Sequence, residues 1–119
     1  MSSYKDLDVW NKSLDLCINI YKITESFPKE DLYGLTSQIR RASVSIPSNI
    51  SEGSKRGKKE FLHFLKISHG SGAETETQLI IAYRLGYITK INFEKTSNEL
   101  EDIMRMLSAF IKKLSTNNE

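Results

Sequence analysis

The residues best able to do chemistry in this 119-residue chain form a short basic run, Lys55, Arg56, Lys58 and Lys59, interrupted only by Gly57. Four cations so close together suit phosphate, which Lys meets as a point charge and Arg through a planar fork. Other chemistries have poorer spacing. Glu60 and His63 make the one Glu-x-x-His of the chain, whereas a di-metal bundle site needs that motif on two helices, so neither a metal nor a cofactor is expected. The single cysteine, Cys17, excludes an internal disulfide and fits a reducing compartment. It sits on an apolar helical face and reads as a small buried hydrophobe, because neither His63 nor His69 is placed to activate it. Ser43, Ser45, Ser48 and Ser51 show no Ser/His/Asp arrangement and read as small residues that admit a neighbouring helix. There is no glycine-rich phosphate loop, zinc spacing or nucleotide fingerprint. Without an acid, base or metal constellation, no enzymatic activity is expected.

Composition bounds what must position these residues. The chain is 39% apolar and 27% charged, as expected of one soluble domain over residues 1–119. Two Pro and six Gly are too few for a turn-rich strand fold, so helices are expected. A net charge of +2 argues nothing by itself; only its distribution can matter. The N-terminus is polar and no apolar run approaches the roughly 20 residues of a membrane span, which points to the cytoplasm.

Apolar periodicity predicts four helices, at about 6–27, 35–54, 58–85 and 93–114, after a frayed lead-in and before a polar tail from Ser115 to Glu119. The first carries two stripes. Leu7, Trp10, Leu14, Cys17 and Tyr21 form one; Val9, Leu16, Ile20, Ile23 and Phe27 form the other, about 120° away. One stripe faces the core, and the second is assigned to self-association; the alternative is that the two merge into one broad core face. Pro28 stops this helix. Leu35, Ile39, Ala42, Ile46 and Ile50 line the second helix, where Pro47 predicts a kink. Phe61, Leu65, Ser68, Gly72, Thr75, Leu79 and Ala82 line the third, with Gly70 and Gly72 reading as a close approach of another backbone. Gly86 reads as its C-terminal cap and Asn92 as the N-cap of the fourth helix, lined by Phe93, Leu100, Ile103, Met104, Leu107, Ile111 and Leu114.

Short loops make these an antiparallel up-down-up-down four-helix bundle. That topology gathers Lys5, Lys55, Arg56, Lys58, Lys59, Lys112 and Lys113 at one end, partly offset by Asp6, Asp8, Glu52, Glu60 and Glu119. The basic end is a candidate phosphate site; the bland alternative is a solvated loop with lysines at helix ends. Arg40 and Arg41 on the second helix stand about level with Glu74 and Glu76 on the third, which predicts a partly buried ion pair.

The pieces Leu7-Asp8-Val9-Trp10, Leu35-Thr36-Ser37-Gln38-Ile39-Arg40-Arg41-Ala42, Ser45-Ile46-Pro47-Ser48-Asn49-Ile50, Glu52-Gly53, Phe64-Leu65 and Glu76-Thr77-Gln78-Leu79 occur in this order over nearly the whole chain. The chain so resembles the four-helix-bundle proteins first noticed as products of intervening sequences in bacterial 23S ribosomal RNA genes. That family is similar to the accessory variability protein of diversity-generating retroelements. The resemblance implies a homopentamer without known enzymatic activity; the retroelement relative associates with a reverse transcriptase and binds nucleic acid. The chain departs from the family in having Gly72 and Thr75 where larger apolar residues are usual, which implies that the middle of the third helix is either looser or packed against something different. The expected function is an oligomeric accessory protein that binds RNA or DNA through the basic end. The alternative is a pentameric scaffold for a protein partner.

Overall fold

The apolar spacing becomes four helices in the computed structural model of the protein, which describes residues 3–116. They are α1 (Asp8–Thr24), α2 (Ser37–Ser54), α3 (Lys58–Arg84) and α4 (Lys90–Thr116), and the described residues include no strand. α1 packs on α2 and α4, α3 packs on the same two, and α2 and α3 share the most extensive interface. Neighbours run in opposite senses: Cys17 meets Ser43 while Thr24 meets Arg40, and Tyr83 meets Phe93 while Phe61 meets Phe110. The result is an antiparallel up-down-up-down bundle of 49 × 23 × 20 Å. Leu16, Ile20, Ile39, Ile46, Ile50, Leu65, Leu79, Leu100, Ile103 and Leu107 are fully buried along its axis.

The first helix corrects the assignment of its stripes. Val9, Leu16, Ile20 and Phe27, assigned to self-association, are core, and Ile23 is half-buried against them. Cys17 from the other stripe joins this core, so the two stripes partly merge into one broad buried face. Of the first stripe, Leu14 is half-buried and Tyr21 is 45% exposed, and Ile18, which belongs to neither stripe, is 56% exposed. Val44 of α2 is exposed as well.

Pro47 does not interrupt α2, which is helical through it. Having no N–H, it cannot serve the Ser43 carbonyl four residues earlier. The Cys17 thiol of α1 supplies a donor there, with Sγ 3.1 Å from the Ser43 oxygen. Burial pushes this thiol up to about 11, so it keeps its proton at neutral pH. Its contribution is complete below the unfolded thiol's range and is lost as pH climbs towards 11. Cys17→Ala is expected to cost about 1–2 kcal/mol in denaturant melts, by leaving a buried carbonyl unserved. In a Pro47→Ala background, where residue 47 brings its own N–H, the cost should shrink, which a double-mutant cycle reads directly.

Small polar residues also join α2 to α3, as expected. Ser68 Oγ donates to the Ile46 carbonyl at 2.8 Å and Ser71 Oγ to Ser45 Oγ at 2.9 Å. Gly72 faces α4 instead: a Cβ there would collide with the Met104 side chain, which fills the space left by the small residue. Gly70 is exposed with open space around its missing Cβ, so no backbone passes close to it. Gly53 is a close approach of α2 to α3, where a Cβ would lie 2.5 Å from Phe64 Cβ.

The helix ends differ from expectation in detail. Residues 4–6 form a 3-10 turn capped by Ser3 rather than a frayed lead-in. α1 stops at Thr24, where the chain turns through Phe27 N–H to the Thr24 carbonyl at 3.1 Å. Gly86 caps α3 with φ 79°; its N–H reaches the Tyr83 carbonyl at 3.0 Å and the Tyr87 N–H reaches Ala82 at 2.9 Å, the two bonds of a Schellman motif. Thr89, rather than Asn92, caps α4, its Oγ1 accepting from the Asn92 N–H at 3.2 Å. α4 continues through Ser115 and Thr116, while Glu119, counted above against the basic end, lies outside the described residues.

Candidate nucleic-acid interface

The basic end is assembled as the topology requires. α2 ends at Ser54 and α3 begins at Lys58, so the run occupies the turn and the first helical residues after it. Lys55 reaches across to the N-terminal turn, where its Nζ lies 5.6 Å from the centre of the Tyr4 ring. Tyr4 in turn packs edge-on against Trp10. Lys58 and Lys59 are exposed in the first turn of α3, which opens at Gly57 without a side-chain cap. Unshared N–H groups and the positive helix end there favour anions. Lys112 and Lys113 are exposed near the end of α4.

Arg56 has a different role from its neighbours. Its guanidinium lies 3.0 Å from Glu52 and 3.4 Å from Glu60, and stacks 5.0 Å from the Phe64 ring centre. The hydrogen bonds it donates to Glu52 and Glu60 raise its pKa further above its already high value. Arg56 thus braces the turn between α2 and α3. The signal was present in the sequence, since Glu52, Arg56 and Glu60 are spaced four apart.

The expected ion pair between α2 and α3 does not form. Arg40 turns to α1, where its Nε donates to Thr24 Oγ1 at 2.9 Å and its plane lies 4.6 Å from the Tyr21 ring centre. Among the described residues no salt bridge joins Arg40 or Arg41 to Glu74 or Glu76. Arg41 and Glu74 line the same open cleft of about 650 Å³ between α2 and α3, with Tyr33 and Ser45, and Glu76 is exposed. The sequence placed these groups at the right height, but Arg40 turns to α1 while Arg41, Glu74 and Glu76 are exposed.

Two surface features were not read from the sequence. An apolar groove of about 570 Å³ runs between the start of α1 and the end of α4, walled by Leu7, Val9, Met106, Phe110 and Leu114 with Lys113 at its edge. A smaller groove of about 300 Å³ between α3 and α4 is lined by Lys66, His69, Ser108, Ile111 and Lys112. His69 Nε2 lies 3.1 Å from Ser108 Oγ, a hydrogen bond that joins α3 to α4. Among the described residues, no three His, Cys, Asp or Glu side chains gather as a metal-binding group. No helix there is long and apolar enough to cross a membrane.

Comparison with known proteins agrees with this architecture. A crystal structure at 1.70 Å of a protein of unknown function from the S23 ribosomal protein family of Bacteroides thetaiotaomicron superposes with a TM-score of 0.81, at 29% identity, covering 87% of this chain and 95% of that one. No curated protein matches the chain. The profile of the 23S rRNA-intervening sequence proteins matches residues 5–109, and the chain belongs to that family.

Proposed function

We propose that this protein is a non-enzymatic, cytoplasmic accessory protein that assembles as a homopentamer and holds nucleic acid through its basic end. The observation that carries this reading is the segregation of charge. Lys5, Lys55, Arg56, Lys58, Lys59, Lys112 and Lys113 share one end with only Asp6, Asp8, Glu52 and Glu60 among the described carboxylates. Five copies would multiply that excess and steepen its salt dependence. No element is shaped to enter a groove and read base edges, so contact with the phosphate backbone, and weak sequence preference, is the expected mode.

A salt titration of binding to a labelled structured RNA tests it. The parent should bind at low salt and weaken steeply as salt rises, and Lys55→Gln/Lys58→Gln/Lys59→Gln should bind at least about tenfold more weakly with its helical melt unchanged. Arg56 is left in place because its loss would loosen the turn itself. Equal binding by parent and variant would remove the basic turn from the site.

The apolar groove beside Lys113 supports a second reading, a scaffold whose groove receives an apolar helix face of a protein partner such as a reverse transcriptase. A pull-down that recovers one protein, survives nuclease and is lost in Phe110→Glu would favour it.

A further inference from the structure

We propose that the groove between α3 and α4 at the basic end is a phosphodiester-binding site formed by Lys66, His69, Ser108 and Lys112. It rests on the nucleic-acid reading above and extends the contact surface from the tip of the bundle down its side.

Like charges brought together from two helices are the first sign. Lys66 of α3 and Lys112 of α4 line the same groove of about 300 Å³, and its lining includes no carboxylate. One rule for balancing an exposed cation on a helix is to place an acid three or four residues away. Arg56 and Arg105 follow that rule, each held by two carboxylates: Glu52 and Glu60 for the first, Glu101 and Asp102 for the second. Lys66 and Lys112 break it. The positions three and four away from Lys66 are Leu62, His63, His69 and Gly70, and those around Lys112 are Ser108, Ala109, Ser115 and Thr116. Neither lysine makes a salt bridge among the described residues. Two unbalanced cations sharing one groove repel each other, and an anion between them would relieve the repulsion.

The neutral lining supplies donors at the same place. His69 and Ser108 sit across the groove from each other, Nε2 to Oγ at 3.1 Å. With the proton on Nε2, the ring donates to Ser108 and leaves the hydroxyl proton for an incoming phosphate oxygen. Ile111 gives the groove an apolar wall.

The occupant is set by what continues from the groove. Lys59 lies seven residues before Lys66, so it shares a face of α3 two turns nearer the tip. From Lys59 to His69 the helix rises about 15 Å, the axial span of about four nucleotides at roughly 3.4 Å per strand step. Arg105, neutralised by its two acids, lies one further double turn along α4 from Lys112 and closes the stripe. A row of cations of this length fits a backbone carrying several phosphates better than a single small anion.

The test is a salt titration by fluorescence anisotropy with the full chain, on a labelled RNA hairpin and on a DNA duplex of equal length. Parent, Lys66→Gln/Lys112→Gln, the tip variant Lys55→Gln/Lys58→Gln/Lys59→Gln and the remote control Lys90→Gln/Lys95→Gln are compared. Both nucleic acids carry the same phosphodiester, and the groove variant should bind each about tenfold more weakly, its log K against log salt slope shallower by about 1.5 to 2. Ser108→Ala should weaken binding about threefold without changing that slope. A groove variant that binds like the parent while the tip variant loses binding would overturn the groove and leave the nucleic-acid reading standing. Weakening no greater than that of the remote control would also overturn it, since bulk charge would then suffice. A parent that binds neither probe at low salt would overturn both.

Discussion

Gly53→Val should destabilise the protein by about 3 kcal/mol and lower its melting temperature by about 10 °C. Gly53 is buried in the last turn of α2, and a Cβ there would stand 2.5 Å from Phe64 Cβ and 3.0 Å from Phe61 Cδ1. Phe64 Cβ is fixed to the α3 backbone and cannot rotate away. The two helices must therefore part, at a point where they hold the basic turn between them. Valine's better helix propensity recovers only a few tenths of a kcal/mol. Two other glycines make the control internal. Gly70 has open space about it in an exposed helix interior, so Gly70→Ala should stabilise by up to about 1 kcal/mol. Gly72→Ala should fall between, because its collision is with the Met104 side chain, which can swing aside at the cost of repacking. Thermal melts of the three variants would give the order Gly70, Gly72, Gly53 from most to least stable. A Gly53 variant as stable as the parent would mean that α2 and α3 do not approach as described.

The contrast among these glycines marks what the sequence could disclose. Periodicity along one helix is a local property, so the core positions of α2, α3 and α4 were legible: Ile39, Ile46 and Ile50 on α2, Leu65 and Leu79 on α3, Leu100, Ile103 and Leu107 on α4 are buried as their spacing predicts. The cap at Gly86 was legible for the same reason. Azimuth was not. α1 offers two apolar stripes, and only its neighbours decide that Leu16 and Ile20 turn inward while Ile18 and Tyr21 stay out. Arg40 and Glu74 were placed at matching heights, but Arg40 lies on the side of α2 that meets α1. At the basic end the sequence located the lysines and missed that Arg56 is bound by Glu52 and Glu60, although the four-residue spacing announced it. The pairing of Lys66 with Lys112 needs two helices and their register, which no single segment carries.

In the homopentamer proposed above, Ile18→Glu should leave a folded monomer, read as a fall in mass by light scattering at tens of micromolar with the helical signal intact. Ile18 is 56% exposed on α1, one turn before the exposed Tyr21. A charge there costs the isolated bundle almost nothing, because water still reaches it. Inside an interface the same carboxylate would be stripped of water without a partner, a cost of several kcal/mol at each contact. A ring multiplies that cost, since every subunit carries the change and every interface contains it. Rings also need two different surfaces, one from each neighbour. The second is available on α3, where Ile67 and Ile81 lie fourteen residues apart on one face and are both exposed, with Leu85 a turn beyond. Ile81→Glu should therefore dissociate the assembly from the other side. Mixing the two monomeric variants gives the sharper result. Each retains one intact surface, so a head-to-tail interface predicts pairs of one of each and no larger species. Leu16→Glu, two residues from Ile18 and fully buried, should instead abolish folding. A parent that scatters as a monomer would remove the homopentamer, and an Ile18→Glu variant that keeps the parent's mass would move the interface off α1.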